Sequence, residues 1–402
     1  MKRYKKLSQK KPKLLFISTR FPLPLHSGFA NKNFNFLKFF SVFFEITIVI
    51  ISRDKPSDED CKKMKKYVNQ IYIFKPYIKD ILVGFIHSIF NKQPLQFALF
   101  NSSLAHKKVN EIKDDFDLVF GSVIRSWPYI HNLKIPIYID LADSLSETYR
   151  RNYKTLKNPF LKFIYFVESY LAKETEKSLI KNSEAVFLFN RNEVEKLKKY
   201  GSVFEVPHGV HSHLLKNIEA DSRYKSDLIF FGKMDFHPNT DAVFWFVNNV
   251  LPDLNKNIRL VIIGASPSKE IINLGKKNPR VIIKGFLDDP YPLISGSLAS
   301  IAPIRLGGGI QNKVLESLAI GANVICSEMV ANSLPEIEES GVLVSKNKKE
   351  WVLNINNLYK AKCNGDDRVM RKLYIKKRFT WEAYSESIMN VIKNKNNLKL
   401  RK

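Results

Sequence analysis

The stretch Pro303–Ser327, PIRLGGGIQNKVLESLAIGANVICS, decides the fold class of this chain. An apolar run leads into three consecutive glycines and then into a helical segment, which Gly321 ends before the next apolar run. Strand, loop, helix and strand in this order form the repeating unit of a parallel α/β sheet. Glycines let the backbone take positive φ and come close to a bound group. The stretch therefore predicts a ligand-binding loop at the carboxyl edge of a parallel sheet.

The same alternation extends on both sides of this stretch. Helical segments lie between the apolar runs, among them Asn33–Phe43, Pro159–Asn182 and Trp381–Lys393. Several runs end in glycine, at the edge where parallel sheets bind ligands. The apolar runs predict strands at Lys13–Thr19, Glu45–Ser52, Gln70–Phe74, Asp117–Ser122, Ile135–Asp143, Glu184–Asn190, Val203–Val210, Asp227–Gly232, Ile258–Gly264, Arg280–Gly285, Ala299–Ile304, Ala322–Ser327 and Gly341–Val344.

The domain organisation follows from length and from a polar break in the pattern. A chain of 402 residues suits two domains of about 150–200 residues each. The polar segment Lys216–Lys225 separates the two series of strands. We therefore predict an α/β fold of two facing, doubly wound Rossmann-like domains with a cleft between them. Their expected bounds are residues 1–210 and 211–375, and residues 376–402 are expected to form a helix that packs back on the first domain and a basic tail.

The composition bounds the class of protein and its compartment. Hydrophobic residues make up 45% of the chain, which is enough for two cores and excludes a disordered chain. Cys61, Cys326 and Cys363 have neither metal-ligand nor redox-motif spacing, which favours a reducing, cytoplasmic compartment. The longest apolar run, Phe39–Ile51, contains Glu45 and is shorter than the roughly 20 residues of a spanning helix. We expect neither a secretory signal nor a transmembrane segment.

The formal net charge of +26 indicates either an anionic partner or a lysine-rich composition without one. Nucleic acid, an anionic membrane surface and an acidic substrate each attract such a chain. Only Lys2–Lys13 and Lys393–Lys402 are dense basic runs. The aromatic stretch Phe34–Phe44 is typical of a core, and a lipid-facing surface is the alternative. The basic opening and this stretch together predict peripheral contact with an anionic membrane at the inner face of the cell membrane.

The helix start after the glycines has the chemistry of a diphosphate site. Its free N–H groups and the positive end of its dipole attract anions, and Lys313 adds a point charge in the first turn. Glu316 lies three residues further on the same side, where its carboxylate can accept hydrogen bonds from ribose hydroxyls. The loop is not a Walker A loop and lacks the GxGxxG spacing of a dinucleotide fold. A tight turn with a surface Lys–Glu pair is the alternative.

Four segments, in this order, resemble glycosyltransferase family 4. They are FFGKMDFHPNTDAVFWFVNNVLPDL, LVIIGASP, KGFLDD and IAPIRLGGGIQNKVLESLAIG. The similar branch carries a "G-x-M-x-x-x-P-N" turn and a "G-x-G-I-x-x-K-x-L-E" helix start, and its members mostly build bacterial capsule, exopolysaccharide or lipopolysaccharide. The match is strong over residues 228–334, whereas RFPLPLHSG, DLADS and VPHGV resemble the family only as a pattern. The resemblance implies the GT-B fold and sugar transfer with retained anomeric configuration.

The resemblance also implies roles for individual residues. Lys233 and Lys313 would stabilise the departing diphosphate as catalytic cations, and Asp143 would face the sugar or acceptor, as would Asp140 and Ser144. Gly28 would let the N-terminal domain approach the phosphates. No metal or cofactor is expected, because cationic side chains and a helix end would carry the leaving group. The donor-binding set is Gly28, Gly232, Arg305, Gly307, Gly308, Gly309, Ile310, Phe286 (whose backbone would meet the base) and Glu316.

Two departures from the family pattern leave the sugar and the acceptor open. Gly308 stands where many members have a glutamate that contacts the sugar. The segment His208–His211 reads H-G-V-H where many members have N-G-V-D. The expected partners are a nucleotide-sugar donor and a glycan or lipid-linked acceptor, with no nucleic acid. The alternatives are a nucleotide-sugar epimerase of the same architecture and a non-catalytic membrane-surface or nucleic-acid binder on a transferase fold.

The remaining polar motifs favour structural roles. Two histidines at i and i+3, His208 and His211, are weak evidence for a metal site without a nearby carboxylate. His26 and His237 are more typical of solvated loops than of phosphate ligands. Asp288-Asp289 resembles the metal-binding pair of inverting transferases, but its position after a strand predicts a helix-start cap.

Overall fold

The computed structural model describes residues 11–25, 27–156, 158–306, 310–361 and 365–396. The chain divides into two compact units, each with one parallel sheet and its own hydrophobic core. The N-terminal unit runs to Val206 and takes in the chain again from Tyr384. The C-terminal unit runs from Pro207 to Ala383.

The N-terminal unit is built on a seven-stranded sheet in the order β3-β2-β1-β4-β5-β6-β7. Every pair of neighbouring strands is parallel, and the strand order reverses between β1 and β4, which is the arrangement of a doubly wound sheet. The strands are β1 (Lys13–Ser18), β2 (Glu45–Ile51), β3 (Gln70–Phe74), β4 (Leu118–Ser122), β5 (Ile137–Ala142), β6 (Ala185–Leu188) and β7 (Val203–Glu205).

The helices of the N-terminal unit connect these strands, and α16 (Trp381–Asn396), from the end of the chain, joins them. Buried parallel strands read as continuous apolar runs because helices cover both faces of the sheet. The helices are α1 (Gly28–Phe40), α2 (Asp58–Met64), α3 (Ile78–Phe90), α4 (Ser103–Ile112), α5 (Trp127–Ile130), α6 (Leu145–Thr155), α7 (Pro159–Lys181) and α8 (Arg191–Leu197).

The C-terminal unit has a six-stranded parallel sheet in the order β10-β9-β8-β11-β12-β13. Its strands are β8 (Asp227–Phe231), β9 (Arg259–Ile263), β10 (Val281–Gly285), β11 (Ala299–Ala302), β12 (Val324–Ser327) and β13 (Leu343–Ser345). The strand order reverses between β8 and β11, so ligands are expected at the carboxyl ends of these strands. The helices are α9 (His237–Asn249), α10 (Lys269–Lys277), α11 (Tyr291–Gly296), α12 (Asn312–Ala319), α13 (Glu328–Ala331), α14 (Lys348–Lys360) and α15 (Gly365–Arg378).

Helix α1 differs from its prediction at the N-terminus. It begins at Gly28 rather than at Asn33, because the Ser27 side chain accepts a hydrogen bond from the Ala30 N–H at 3.2 Å and caps the helix. Gly28 is therefore the first helical residue and not part of the preceding loop. The loop after β1 therefore ends at Ser27, five residues earlier than predicted.

The aromatic stretch Phe34–Phe44 belongs to the core. Phe36 and Phe40 are fully buried and stack on each other with ring centroids 3.9 Å apart. Phe34 and Phe44 are buried as well. The alternative of a lipid-facing surface at this stretch is wrong, since helix α1 directs these rings against the sheet.

Helix α16 is anchored to the N-terminal unit by its buried side chains. The Tyr384 hydroxyl donates a hydrogen bond to Asp140, and Ile388 and Ile392 are fully buried. Near the end of the helix, Lys395 Nζ donates to the Ser202 hydroxyl at 2.9 Å. A segment from the end of the sequence thus completes the N-terminal core.

Candidate functional site

Glycines at three neighbouring strand ends form the base of the candidate site in the C-terminal unit. Gly232, Gly264 and Gly285 stand at the carboxyl ends of β8, β9 and β10. The Gly264 N–H donates to the Gly285 carbonyl at 2.7 Å, and a Cβ on Gly264 would lie 1.7 Å from the Gly232 carbonyl oxygen. Gly232 itself has φ of 143°, in the region that favours glycine. The backbone packs too closely at Gly264 for any side chain, whereas a Cβ on Gly285 would meet no atom within 4 Å.

Lys313 lies beside this glycine edge and is buried. Its Nζ donates a hydrogen bond to Asn239 Oδ1 at 2.6 Å and lies 4.2 Å from the centroid of the Phe230 ring. A Cβ on Gly232 would come within 3.4 Å of the same Nζ, so the ammonium group faces the end of β8. Burial lowers the pKa of Lys313 to about 7, while the nearby Glu316 carboxylate opposes that shift. The side chain is a cation that lacks a full counter-charge.

Glu316 lies one turn after Lys313 on helix α12, as the sequence predicts. Its Oε2 accepts a hydrogen bond from the Tyr291 hydroxyl at 3.3 Å. Burial raises the pKa of Glu316 to about 7, and the hydrogen bond from Tyr291 and the charge of Lys313 act against this rise. The two side chains are thus a partly buried acid and base on one helix face, and not the surface pair of the alternative interpretation.

The start of helix α12 has no side-chain cap among the described residues. The helix begins at Asn312, and Gln311 at the cap position makes no side-chain capping hydrogen bond. Uncapped N–H groups at a helix start attract anions. Ile310 packs against the C-terminal core just before the helix. Gly307, Gly308 and Gly309, predicted to bind the diphosphate, lie outside the described residues, as does His26.

The two outer cations, Lys233 and Arg305, each have a carboxylate partner of their own. Lys233 Nζ lies 3.2 Å from Asp235 Oδ2, and Arg305 donates to both oxygens of Asp241 at 2.9 and 3.1 Å. The Arg305 guanidinium also lies over the Trp245 ring, 5.4 Å from its centroid. Both pairs are partly exposed, so solvent screens them. A phosphate would have to compete with these carboxylates for either cation.

Phe286 follows Gly285 directly at the same sheet edge. Gly285 has φ of 70°, and the pairing register of β10 with β9 shifts at this point. The Phe286 side chain is exposed, and its backbone continues the line of glycine strand ends. The structure thus places Gly232, Lys233, Phe286, Arg305, Ile310, Lys313 and Glu316 on loops and a helix that follow β8, β10 and β11.

Two of the predicted site residues belong to the N-terminal unit. Gly28 begins helix α1, and a Cβ added there would meet no atom within 4 Å. Asp143 follows β5 and keeps an exposed side chain. Partial loss of hydration raises the pKa of Asp143; the charges of Arg151 and Lys32 oppose the rise, while that of Asp140 adds to it.

Asp140 and Ser144 have structural roles rather than the expected contact with substrate. Asp140 is fully buried, pairs with Lys32 Nζ at 2.5 Å and accepts a hydrogen bond from the Ala142 N–H at 2.7 Å. That contact accompanies a positive φ of 62° at Ala142, a strained conformation for alanine. Ser144 is also fully buried and donates to Glu176 at 3.1 Å. Of the three polar residues predicted here, Asp143 is the accessible one.

Sequence reasoning missed the neutral partners of the charged residues. Asn239 and Tyr291 hold Lys313 and Glu316, and the buried Glu193 accepts a hydrogen bond from the Ser144 N–H at 2.6 Å. Burial raises the pKa of Glu193 to about 7. Asn239 stands in the P-N turn already noted in the sequence, so its signal was present. Tyr291 and Glu193 carry no motif.

Metal-binding geometry is absent from the parts of the chain that the structure describes. No group of three His, Cys, Asp or Glu side chains gathers there as metal ligands. Asp289 Oδ1 instead accepts a hydrogen bond from the Tyr291 N–H at 3.1 Å at the start of α11, although Pro290 and not the predicted aspartate holds the cap position. The His208 ring packs against Trp381 with centroids 5.3 Å apart. The independence of the reaction from metal stays a prediction.

The C-terminal unit matches a known protein family. Residues 225–361 match the family model described as "Glycosyl transferases group 1". No protein of curated function matches the chain in sequence. The matched range holds Gly232, Lys313 and Glu316 with the neutral partners Asn239 and Tyr291. It therefore contains the whole C-terminal part of the candidate site.

Solved structures with a similar fold cover almost the whole chain. Alr3699/HepE of Anabaena in complex with UDP has a TM-score of 0.64 at 11% identity, over 95% of this chain and 100% of that chain. Sucrose-phosphate synthase of Thermosynechococcus elongatus has 0.62 at 13%, over 95% and 98%. The lipopolysaccharide outer core galactosyltransferase WaaB has 0.60 at 12%, over 95% and 99%. At these identities the likeness shows the fold.

The family match and the fold together define the class of protein. The matched range is a glycosyltransferase domain, and it stands in a chain with two parallel-sheet α/β units. The protein is a transferase enzyme, a glycosyltransferase with the GT-B fold. The predictions of fold class and of a transferase are confirmed. Among the helices that the structure describes, none combines the length and the apolar composition needed to span a bilayer.

Proposed function

We propose that this glycosyltransferase is a retaining member of family 4 that moves a sugar from a nucleoside diphosphate donor to a glycan or lipid-linked acceptor in cell-surface polysaccharide synthesis. One observation carries the proposal: Lys313 is buried beside Gly232 at the end of β8, and the half-buried Glu316 lies one turn further along the same face of α12. HepE was solved with UDP-glucose, and WaaB is a lipopolysaccharide outer core galactosyltransferase. These names support a nucleotide-sugar donor and a surface polysaccharide product.

The donor would lie along the carboxyl edge of the C-terminal sheet. The diphosphate would accept hydrogen bonds from the uncapped start of α12 and from Lys313, whose charge it would complete. Glu316 would accept hydrogen bonds from the ribose hydroxyls, one turn further along the helix. The base would meet the backbone at Phe286. Each contact uses a group whose present partner is neutral or absent among the described residues.

The chemistry follows from the leaving group. Breaking the bond between the anomeric carbon and the phosphate oxygen leaves charge on the diphosphate and an oxocarbenium-like sugar. Lys313 and the helix start stabilise that charge, and Lys233 and Arg305 add to it from the exposed side. The departing phosphate oxygen takes the proton of the acceptor hydroxyl, which attacks from the same face. Gly28 and Asp143 keep the roles toward phosphate and acceptor that the family resemblance implies.

This proposal needs no metal ion or cofactor. The cations that it uses are side chains, and Asp289 is engaged by the Tyr291 N–H at the start of α11. We expect sugar transfer to survive EDTA. Loss of activity in EDTA with recovery on adding Mn²⁺ or Mg²⁺ would contradict the proposed stabilisation of the leaving group. We propose that the enzyme acts in the cytoplasm, with peripheral contact at the inner face of the membrane.

A thermal-shift scan with nucleoside diphosphate sugars tests the proposal. A ligand that binds only the folded chain raises its melting temperature, so the true donor should stand out from other nucleotides. The anomeric proton of the transfer product is then assigned by NMR, with the configuration of the donor expected. If none of the nucleotide sugars raises the melting temperature, the proposal is overturned. A product of inverted anomeric configuration would overturn the retaining mechanism. A changed sugar released without any acceptor would identify an epimerase instead.

A further inference from the structure

Helix α3 presents its apolar side chains to solvent and its small or polar ones to the protein. Its buried stripe is Asp80, Gly84 and Ser88, spaced by four residues. A helix of a globular protein normally buries its apolar stripe, so α3 is inverted. Its outward side chains are each 58–81% exposed: Ile78, Leu82, Val83, Ile86, Ile89 and Phe90.

The first half of helix α7 is inverted in the same way. Its buried residue there is Glu168, whose Oε1 accepts a hydrogen bond from the Leu95 N–H at 2.7 Å. Large apolar and aromatic side chains instead face solvent. They are each 41–70% exposed: Phe160, Leu161, Phe163, Phe166 and Tyr170.

The two inverted faces belong to one region of the N-terminal unit. The 3-10 turn Leu95–Phe100 packs directly on α3, since a Cβ on Gly84 would lie 2.9 Å from the Ala98 Cα. The same turn is tied to α7 through the hydrogen bond of Leu95 with Glu168. We call the exposed apolar residues of α3 and of the first half of α7 the α3–α7 surface. Apolar patches of this kind on a folded protein mark interaction sites.

The charged side chains that reach solvent in this region are all basic. Among the charged residues of Tyr77–Lys92 and Pro159–Tyr170, the acids Asp80 and Glu168 are buried, at 5% and 3% exposure. The basic residues Lys79, Lys92 and Lys162 are the charges that reach solvent. The α3–α7 surface is therefore apolar with a purely cationic edge, and it lies on a chain of net charge +26.

We propose that the α3–α7 surface docks on an anionic lipid bilayer, with its apolar side chains in the interface and its lysines at the headgroups. Apolar helix faces with basic residues beside them bind in this way. A second copy of the chain would bring the same lysines and the same net charge to the contact, so charge complementarity favours the bilayer. The proposal deepens the membrane contact of the proposed function and rests on that part of it. The α3–α7 surface also takes the place of the buried stretch Phe34–Phe44 as the proposed apolar contact with the membrane.

Co-sedimentation of the full chain with vesicles tests this docking surface. One set of vesicles contains phosphatidylglycerol and phosphatidylcholine, and the other contains phosphatidylcholine alone. The test variant is Leu82→Gln/Ile86→Gln/Phe90→Gln on α3. The matched control, Leu353→Gln/Val369→Gln/Leu373→Gln, changes three side chains of the C-terminal unit that are 57–59% exposed. We expect the wild type and the control to bind the anionic vesicles, and the α3 variant to bind at least tenfold more weakly.

A second variant and a second measurement keep the outcome decisive. Phe160→Gln/Phe163→Gln/Phe166→Gln on α7 should also weaken binding at least tenfold, and circular dichroism should show both variants folded. Negligible binding of the wild type to either vesicle, or undiminished binding of both variants, overturns the proposal. A wild-type dimer in sedimentation velocity that the α3 variant disperses would assign the surface to a second copy. Donor-induced thermal stabilisation should be unchanged in both variants, which separates this result from the proposed transfer.

Discussion

Among the residues that the structure describes, each unit buries one lysine, Lys32 in the N-terminal unit and Lys313 in the C-terminal unit. The two lysines differ in whether a carboxylate balances their charge. Lys32 of the N-terminal unit lies 2.5 Å from the buried Asp140, a full counter-charge. Lys313 of the C-terminal unit donates to the neutral amide of Asn239, and burial lowers its pKa to about 7. A buried charge without a counter-charge costs free energy, so proteins keep one chiefly where a ligand completes it.

The difference separates structure from function. Lys32 and Asp140 close an internal ion pair, together with Tyr384 from the end of the chain, and hold the strained turn before Asp143. Lys313 faces Gly232 at the end of β8, and Glu316 lies one turn further along α12. We infer that removing a charge from the first pair harms the fold and that removing one from the second harms donor binding.

The largest expected effect is on stability, from Asp140→Ala. The change leaves Lys32 buried without its counter-charge, which costs about 3–5 kcal/mol of the free energy of unfolding. Urea unfolding of the purified chain measures this cost. The control is Asp235→Ala, which removes a partly exposed partner of Lys233 and should cost about 0–1 kcal/mol. Similar unfolding midpoints for both variants would show that the Lys32 pair has no special structural role.

The next effect is on donor binding, from Glu316→Ala. Loss of charge-assisted hydrogen bonds to the ribose should weaken nucleotide-sugar binding by about 1.5–3 kcal/mol. Stability should change little, because the carboxylate has only a long hydrogen bond from Tyr291 among the described residues. Isothermal titration calorimetry with the donor found in the scan measures the change. Unaltered donor affinity would remove Glu316 from the site.

The smallest effect is a pH dependence of donor affinity. A bound diphosphate stabilises the Lys313 ammonium, so affinity should fall as pH rises through about 7. A bound ribose stabilises the Glu316 carboxylate, so affinity should fall as pH drops through about 7. Titrations between about pH 5.5 and 8.5 should show a maximum near neutrality, with slopes under tenfold per pH unit. In Glu316→Gln the acid limb should disappear while the alkaline limb remains.

Much of the fold could be predicted because local sequence determines it. Strands covered by helices on both faces give unbroken apolar runs such as Glu45–Ile51, and a proline begins α7 at Pro159 as expected. The phase of helix α12 places Lys313 and Glu316 on one face from spacing alone. These features depend on neighbours within one or two turns, so the sequence pattern contains them.

The rest depends on contacts that spacing does not encode. Asp140 and Tyr384 are 244 positions apart, so no local pattern shows that Asp140 is enclosed rather than facing substrate. Helix α1 begins at Gly28 and not at the predicted Asn33, because Ser27 caps it. This capping serine was overlooked because it follows a loop that contains two prolines. Helix α3 carries an apolar pattern that suggests a core helix, and only its packing shows that the apolar face is outside.

Donor titration of a single variant, Lys313→Met, tests the central claim most directly. Methionine keeps much of the apolar stem and removes a buried charge that lacks a full counter-charge, so the free energy of unfolding should stay the same or increase. Calorimetry should show the affinity for the nucleotide-sugar donor reduced by about 2–3 kcal/mol, roughly 30- to 150-fold. Lower stability together with unchanged donor affinity would contradict the account, because Lys313 would then be a structural lysine like Lys32.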